Sequence, residues 1–170
     1  MPDVRKRIYW DAPVWLAYIN GDPDRLPIID GMMADSASDK GNCKLHTSVL
    51  SEIEVAFGES EQNNHILDPD IEDKINQLWS DSFLLVMLDF HELIGREARG
   101  LMRQVLINGW GLKPMDALHL STAKFHGLDE FHTYDDPLQK YSQYIGIPIV
   151  KPYIGQLTLL PNPSSQKETT

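Results

Sequence analysis

The chain has 170 residues, 42% of them hydrophobic, and its 15 basic against 25 acidic side chains give a formal net charge of −10. That size suits one globular core, and the negative balance repels a polyanion at long range, which counts against general nucleic-acid binding but leaves room for a local basic patch. The single Cys43 can make no internal disulfide, Asp11 and Pro13 break the apolar stretch that a leader would need, and no apolar run approaches the roughly 20 residues that span a bilayer, so a soluble, cytoplasmic protein is expected.

Arg5 to Trp10 mixes β-branched and aromatic residues and reads as a first strand, and Asp11-Ala12-Pro13 ends it and opens a short helix to about Ile19. Asp11 therefore sits at the carboxyl end of a strand. Asp before an early-turn proline is also the mark of a helix cap, and taken alone Asp11 reads better as that cap. After the turn Gly21-Asp22-Pro23, the spacing of Leu26, Ile29 and Met33 predicts an amphipathic helix from Asp24 to about Ala37, and Ser36 to Asn42 reads as a polar loop. A second strand is predicted over Lys44 to Ser48. Ser48 then caps a helix with an apolar stripe of Val49, Leu50, Ile53, Ala56 and Phe57. Glu52 and Glu54 flank that stripe on opposite sides, and the helical wheel does not choose between them.

Glu59 to Asn64 is polar and loop-like. Asp68-Pro69 opens a helix in which Ile71, Ile75 and Leu78 recur at the helical period, and the apolar run Phe83 to Leu88 has the pattern of a strand covered on both faces. Asp89 is placed as the cap of a long helix to about Ile107. On it Arg96, Arg99 and Arg103 fall at i, i+3 and i+7, either a basic patch or a solvated face paired with Glu92 and Glu97.

After the break Asn108-Gly109-Trp110-Gly111, Pro114 takes the first position of a helix and Asp116 the third, where the dipole and free amides favour an anion. Ala117, Leu118, Leu120, Ala123 and Phe125 cover most of that helix, which argues for burial, and a buried acid is rare unless paired or on metal. His119 lacks a second imidazole at ligand spacing and reads as a packing or hydrogen-bonding histidine. Glu130 to Tyr134 is the predicted fourth strand. Asp136, before Pro137, is explained as a helix cap, whereas Asp135 is not. A short helix bearing Tyr141 and Tyr144 and a fifth strand over Ile147 to Val150 complete a domain of residues 1–152, with 153–170 expected to be a largely disordered tail.

Strands alternating with helices indicate a doubly wound α/β fold with helices on both faces of a parallel sheet, where ligands bind beyond the carboxyl ends of strands. No GxGxxG follows the first strand, and neither GxxxxGK[ST] nor GxSxG occurs, which sets aside nucleotide-cofactor and serine-hydrolase chemistry. What remains is a set of acids. Clustered carboxylates repel one another unless protonated or bound to a hard cation such as Mg²⁺ or Mn²⁺.

Four segments in order, Ile8-Tyr9-Trp10-Asp11, Thr47-Ser48-Val49-Leu50 leading to Glu54-Val55, Asp116-Ala117-Leu118-His119-Leu120-Ser121-Thr122-Ala123, and Phe131-His132-Thr133-Tyr134-Asp135, resemble the PIN-domain family, of the kind found in toxins of bacterial type II (VapBC-type) toxin–antitoxin systems. The resemblance covers roughly Arg5 to Pro152. It implies a 3-2-1-4-5 strand order, selects Glu54 over Glu52, and makes Asp11, Glu54, Asp116 and Asp135 a catalytic, metal-holding set for one or two Mg²⁺ or Mn²⁺ ions. It further implies hydrolysis of RNA by an endoribonuclease, a cognate antitoxin as partner, and often a homodimer. Supporting roles fall to Thr133, Ser48 and Asp136, and weaker RNA contacts to Arg96, Arg99 and Arg103. Two other readings stand beside it: a module of the same fold acting through protein partners, and a phosphotransfer receiver, which also gathers acids at strand ends.

Overall fold

β1 (Lys6–Trp10) is the centre of a five-stranded parallel sheet, with β2 (Cys43–Ser48) on one side and β4 (Glu130–His132) on the other. β3 (Leu85–Leu88) extends the sheet past β2 and β5 (Ile149–Val150) past β4, giving the order β3-β2-β1-β4-β5. The computed structural model describes residues 5–155. The tail expected over 153–170 lies mostly outside them.

Alternation along β1 divides the molecule into two cores, because successive strand residues point to opposite faces. Tyr9 joins Phe131 beneath α6 (Glu92–Leu106), α7 (Pro114–Phe125) and α8 (Ser142–Ile145). Ile8 and Trp10 join the opposite core with α1 (Ala12–Ile19), α2 (Leu26–Ala37) and α5 (Pro69–Ser80). Burying both faces of the middle strand is what a doubly wound sheet requires. In the second core Trp10 and Trp15 lie with ring centroids 4.7 Å apart, Trp79 meets Trp15 at 5.7 Å, and the Trp15 indole donates to the Trp10 carbonyl at 3.3 Å.

The 3-2-1-4-5 order confirms the expected fold class and differs from the 2-1-3-4-5 order of receiver domains, which removes that reading. Several local expectations are corrected. Glu59–Asn64, taken for a loop, is a helix, α4, stabilised by the buried Glu61 carboxylate, which accepts the Gly58 amide at 2.9 Å and the Asp68 amide at 2.7 Å. Ser36, assigned to a loop, closes α2 from within: its hydroxyl donates to the Leu84 carbonyl at 2.5 Å and accepts the Leu45 amide at 2.9 Å.

The helix after Ser48, α3, spans only Val49–Glu54, so the full expected stripe does not form; Leu50 is buried, Ile53 is 72% exposed, and further inward apolar contact comes from Val55 beyond the helix. β3 is shorter than expected and is not covered on both faces, since it forms the sheet edge and leaves Val86 partly exposed. His91, not Asp89, stands at the N-cap of α6, and the Phe90 ring turns back over Gly95. β4 stops at His132 and β5 begins only at Ile149.

Candidate active site at the carboxyl ends of the strands

Asp11 follows the last residue of β1 and occupies the N-cap position of α1, but its side chain makes no capping bond. It is 3% exposed, and its Oδ1 has no hydrogen-bond partner among the described residues. Burial pushes the carboxyl up to about 8; the Thr133 hydroxyl opposes this, the charges of Asp116 and Glu54 add to it, and the Val14 amide opposes it. Folding thus places an acid where neither a cap nor solvent compensates it.

Asp116 is the third residue of α7, as Pro114 at the first position foretold, and is half-buried. Its carboxyl is raised by burial and then by Asp135, lowered by Lys113 and His119, and raised again by Glu54. Asp116 therefore senses the other three acids: Asp11, Glu54 and Asp135 all couple to it. The chain brings these acids to one region from four separate segments.

Glu54 is the last residue of α3 and turns inward to His119, which meets Glu54 Oε2 through Nε2, while Glu52 is exposed. The structure thus separates two glutamates that the helical wheel left equivalent. His119 is a buried hydrogen-bonding histidine, as its sequence context indicated; its Nδ1 lies 2.7 Å from the Tyr9 hydroxyl.

Ser48 caps α3 by accepting the Leu50 amide at 3.3 Å. Beside it Thr47 donates to the Trp10 carbonyl at 2.9 Å and bonds Ser51 at 2.7 Å, tying the start of α3 to the end of β1. Thr133 is buried and accepts the Asp135 amide at 2.9 Å.

The cap assignments at the next turn are reversed. Asp135 stands at the N-cap position of the 3-10 helix Asp136–Tyr141, without a side-chain capping bond, and Asp136 is its first residue, exposed and paired with Lys151 at 3.0 Å. Arg96, Arg99 and Arg103 lie exposed on α6, where Arg96 pairs with Glu92 and none pairs with the four acids. Tyr9 was missed as a member of this neighbourhood. Its only sequence signal was alternation on β1, which puts it on the same face as a residue two positions on.

Hard oxygen donors with an unsatisfied buried oxygen suit Mg²⁺ or Mn²⁺. Among the described residues no three His, Cys, Asp or Glu side chains are drawn close enough to enclose an ion.

The PIN domain family model matches residues 8–143, a span containing all four acids. The chain belongs to the PIN domain family. No curated protein gives a significant sequence match. Among solved structures, this PIN domain is similar to a chain of VapBC2 from Rickettsia felis bound to a promoter DNA fragment, with a TM-score of 0.62 and 14% identity over 87% of this chain and 99% of that one. FitAcB from Neisseria gonorrhoeae is similar at a TM-score of 0.58 and 15% identity, covering 85% and 97%. FitAB bound to the IR36 DNA fragment gives 0.58 and 15%, covering 88% and 97%.

Proposed function

We propose that this PIN domain is a metal-dependent endoribonuclease, the toxin of a type II toxin–antitoxin pair, with Asp11, Glu54, Asp116 and Asp135 as its catalytic, metal-holding residues. The observation that carries this reading is the buried Asp11 carboxylate with an unpartnered oxygen, coupled to Asp116 and Glu54. Such an arrangement is costly for an empty site and useful for one that receives a cation. The similar structures are described as VapBC2 bound to a promoter DNA fragment and as FitAcB, in keeping with the VapBC-type resemblance, which supports an antitoxin as partner.

A bound Mg²⁺ or Mn²⁺ would neutralise charge building on the scissile phosphate and make water more acidic. The protein's own part is to set the donors. β1 and α7 present Asp11 and Asp116, α3 presents Glu54, and Thr133 orders the backbone before Asp135. Ser48 fixes the start of the helix carrying Glu54. Asp136 lies next to this set as an outer group, and Arg96, Arg99 and Arg103 supply positive charge on α6 for an RNA backbone. A homodimer and a cytoplasmic setting complete the reading.

Cleavage of RNA by the purified protein with Mn²⁺, with and without EDTA, tests it, alongside Asp116→Asn. EDTA-sensitive cleavage lost in the variant supports it. Cleavage at the original rate by a folded Asp116→Asn overturns the site. No cleavage of any RNA tested favours instead a module acting through protein partners, a reading consistent with the net charge of −10.

A further inference from the structure

Glu54 is the final residue of a six-residue helix, and so short an element does not by itself fix a glutamate side chain. Its carboxylate is nevertheless engaged from a different helix and, through it, from the central strand. His119 of α7 reaches Glu54 Oε2 with Nε2 and Tyr9 of β1 with Nδ1, at 2.7 Å. We propose that His119 is a positioning residue, which holds Glu54 in its working orientation through an Nε2–H donor while Tyr9 fixes the imidazole tautomer. The role rests on the metal-site reading of Glu54.

The hydrogen-bonding inventory decides the direction of the relay. An ionised carboxylate only accepts, so Nε2 must carry the proton; in the neutral ring Nδ1 is then an acceptor, and the phenol donates to it. Burial raises the Tyr9 pKa and keeps that hydroxyl protonated. Tyr9 is itself held fast: it is fully buried, stacks on Phe131 with centroids 5.1 Å apart and 13° between planes, and meets the His119 ring edge-on at 5.8 Å. The relay ends on a rigid part of the sheet. Only Oε2 of Glu54 is spent on His119, and Oε1 is not hydrogen-bonded among the described residues. Partners behind a ligating carboxylate act on metal affinity in this way.

The test compares His119→Leu, which keeps the packing, with His119→Gln, which restores an N–H donor near Nε2, and with Tyr9→Phe. Mn²⁺ affinity is measured by electron paramagnetic resonance on RNA-free protein, with circular dichroism to verify folding. His119→Leu is expected to weaken Mn²⁺ binding about 10- to 100-fold, and His119→Gln to recover most of that loss. In metal-free wild type, long-range ¹H–¹⁵N spectra should show His119 as the Nε2–H tautomer. An Nδ1–H tautomer, unchanged Mn²⁺ affinity in folded His119→Leu, or a folded His119→Gln binding no better than His119→Leu each overturns the positioning role. If His119→Leu does not fold, wild-type affinity in Tyr9→Phe together with an unchanged His119 tautomer overturns it as well. A wild type that binds no Mn²⁺ is a distinct result, which sinks the metal-site reading and the role with it.

Discussion

Trp10 and His132 stand opposite each other in the parallel ladder between β1 and β4, and the Asp11 amide donates to the His132 carbonyl at 3.4 Å. The residues that follow them, Asp11 and Thr133, therefore leave the sheet side by side. Thr133 is placed to hydrogen-bond the Asp11 carboxyl while accepting the Asp135 amide. Thr133→Val keeps the shape and removes the hydroxyl, leaving that amide without its acceptor; a loss of about 1–3 kcal/mol is expected. Thr133→Ser should retain both stability and cleavage. Urea denaturation and an RNA cleavage assay on the two variants check this, and equal behaviour of Val and Ser would remove Thr133 from the site.

Asp11 gives the metal-free protein a pH dependence of definite sign. Its carboxyl is raised from 3.8 to about 8, so the folded state keeps a proton that the unfolded chain releases. Its contribution to stability is fully present below about pH 4 and declines as pH rises through 8. Asp11→Asn removes the penalty and is expected to stabilise the EDTA-treated protein at pH 8 by on the order of a few kcal/mol, with a smaller gain at pH 5. The same variant should lose any stabilisation by Mn²⁺. Thermal melts at both pH values decide it; a variant less stable than wild type at pH 8 contradicts the expectation.

Acid acts through a different cluster. Glu130 bonds Lys6 at 2.6 Å, His132 at 2.8 Å and the Tyr153 hydroxyl at 2.9 Å. Burial alone would raise Glu130, but the bonds from His132, Lys6 and Tyr153 win and hold it at about 2; burial lowers His132. Both shifts remove stability as pH falls, His132 from its unfolded value of 6.5 downward and Glu130 between 4.5 and about 2. Glu130→Gln is expected to cost about 1–3 kcal/mol at pH 7 and to flatten the stability profile below pH 4.5. Denaturation midpoints measured from pH 7 to pH 3 provide the comparison.

Glu61 is the fourth target. Its buried carboxylate accepts the Gly58 and Asp68 amides, closing α4 against the start of α5. Glu61→Ala leaves both amides unpaired and should destabilise by about 2–3 kcal/mol, whereas the neighbouring exposed Gln62→Ala should change little. Hydrogen exchange confined to residues 58–68 would show the local opening.

The alternating strands and helices and the segments bearing three of the acids were legible because each of these lies beside a strong pattern: β1 before Asp11, Pro114 before Asp116, the strand Glu130–His132 before Asp135; the sheet order came from the resemblance to the PIN-domain family. α4 was not, because Glu-Ser-Glu-Gln-Asn-Asn has no apolar period and its support is a carboxylate bonding to backbone outside the helix. The helical wheel left Glu52 and Glu54 equivalent and only the resemblance selected Glu54; what separates them physically is where α3 ends and what faces it, a tertiary fact held by His119. The move of the N-cap position from Asp136 to Asp135 turned on a one-residue shift in the start of a 3-10 helix, finer than residue propensities resolve.

The tryptophans carry a last consequence. Trp10 immediately precedes Asp11, and its ring lies 4.7 Å from that of Trp15, four residues beyond the acid, with Trp79 next in line. Chromophores this close and this rigidly fixed exchange excitation. Three of the four tryptophans thus form one coupled set beside the end of β1, and near-ultraviolet circular dichroism is expected to report on the packing of the segment that carries Asp11.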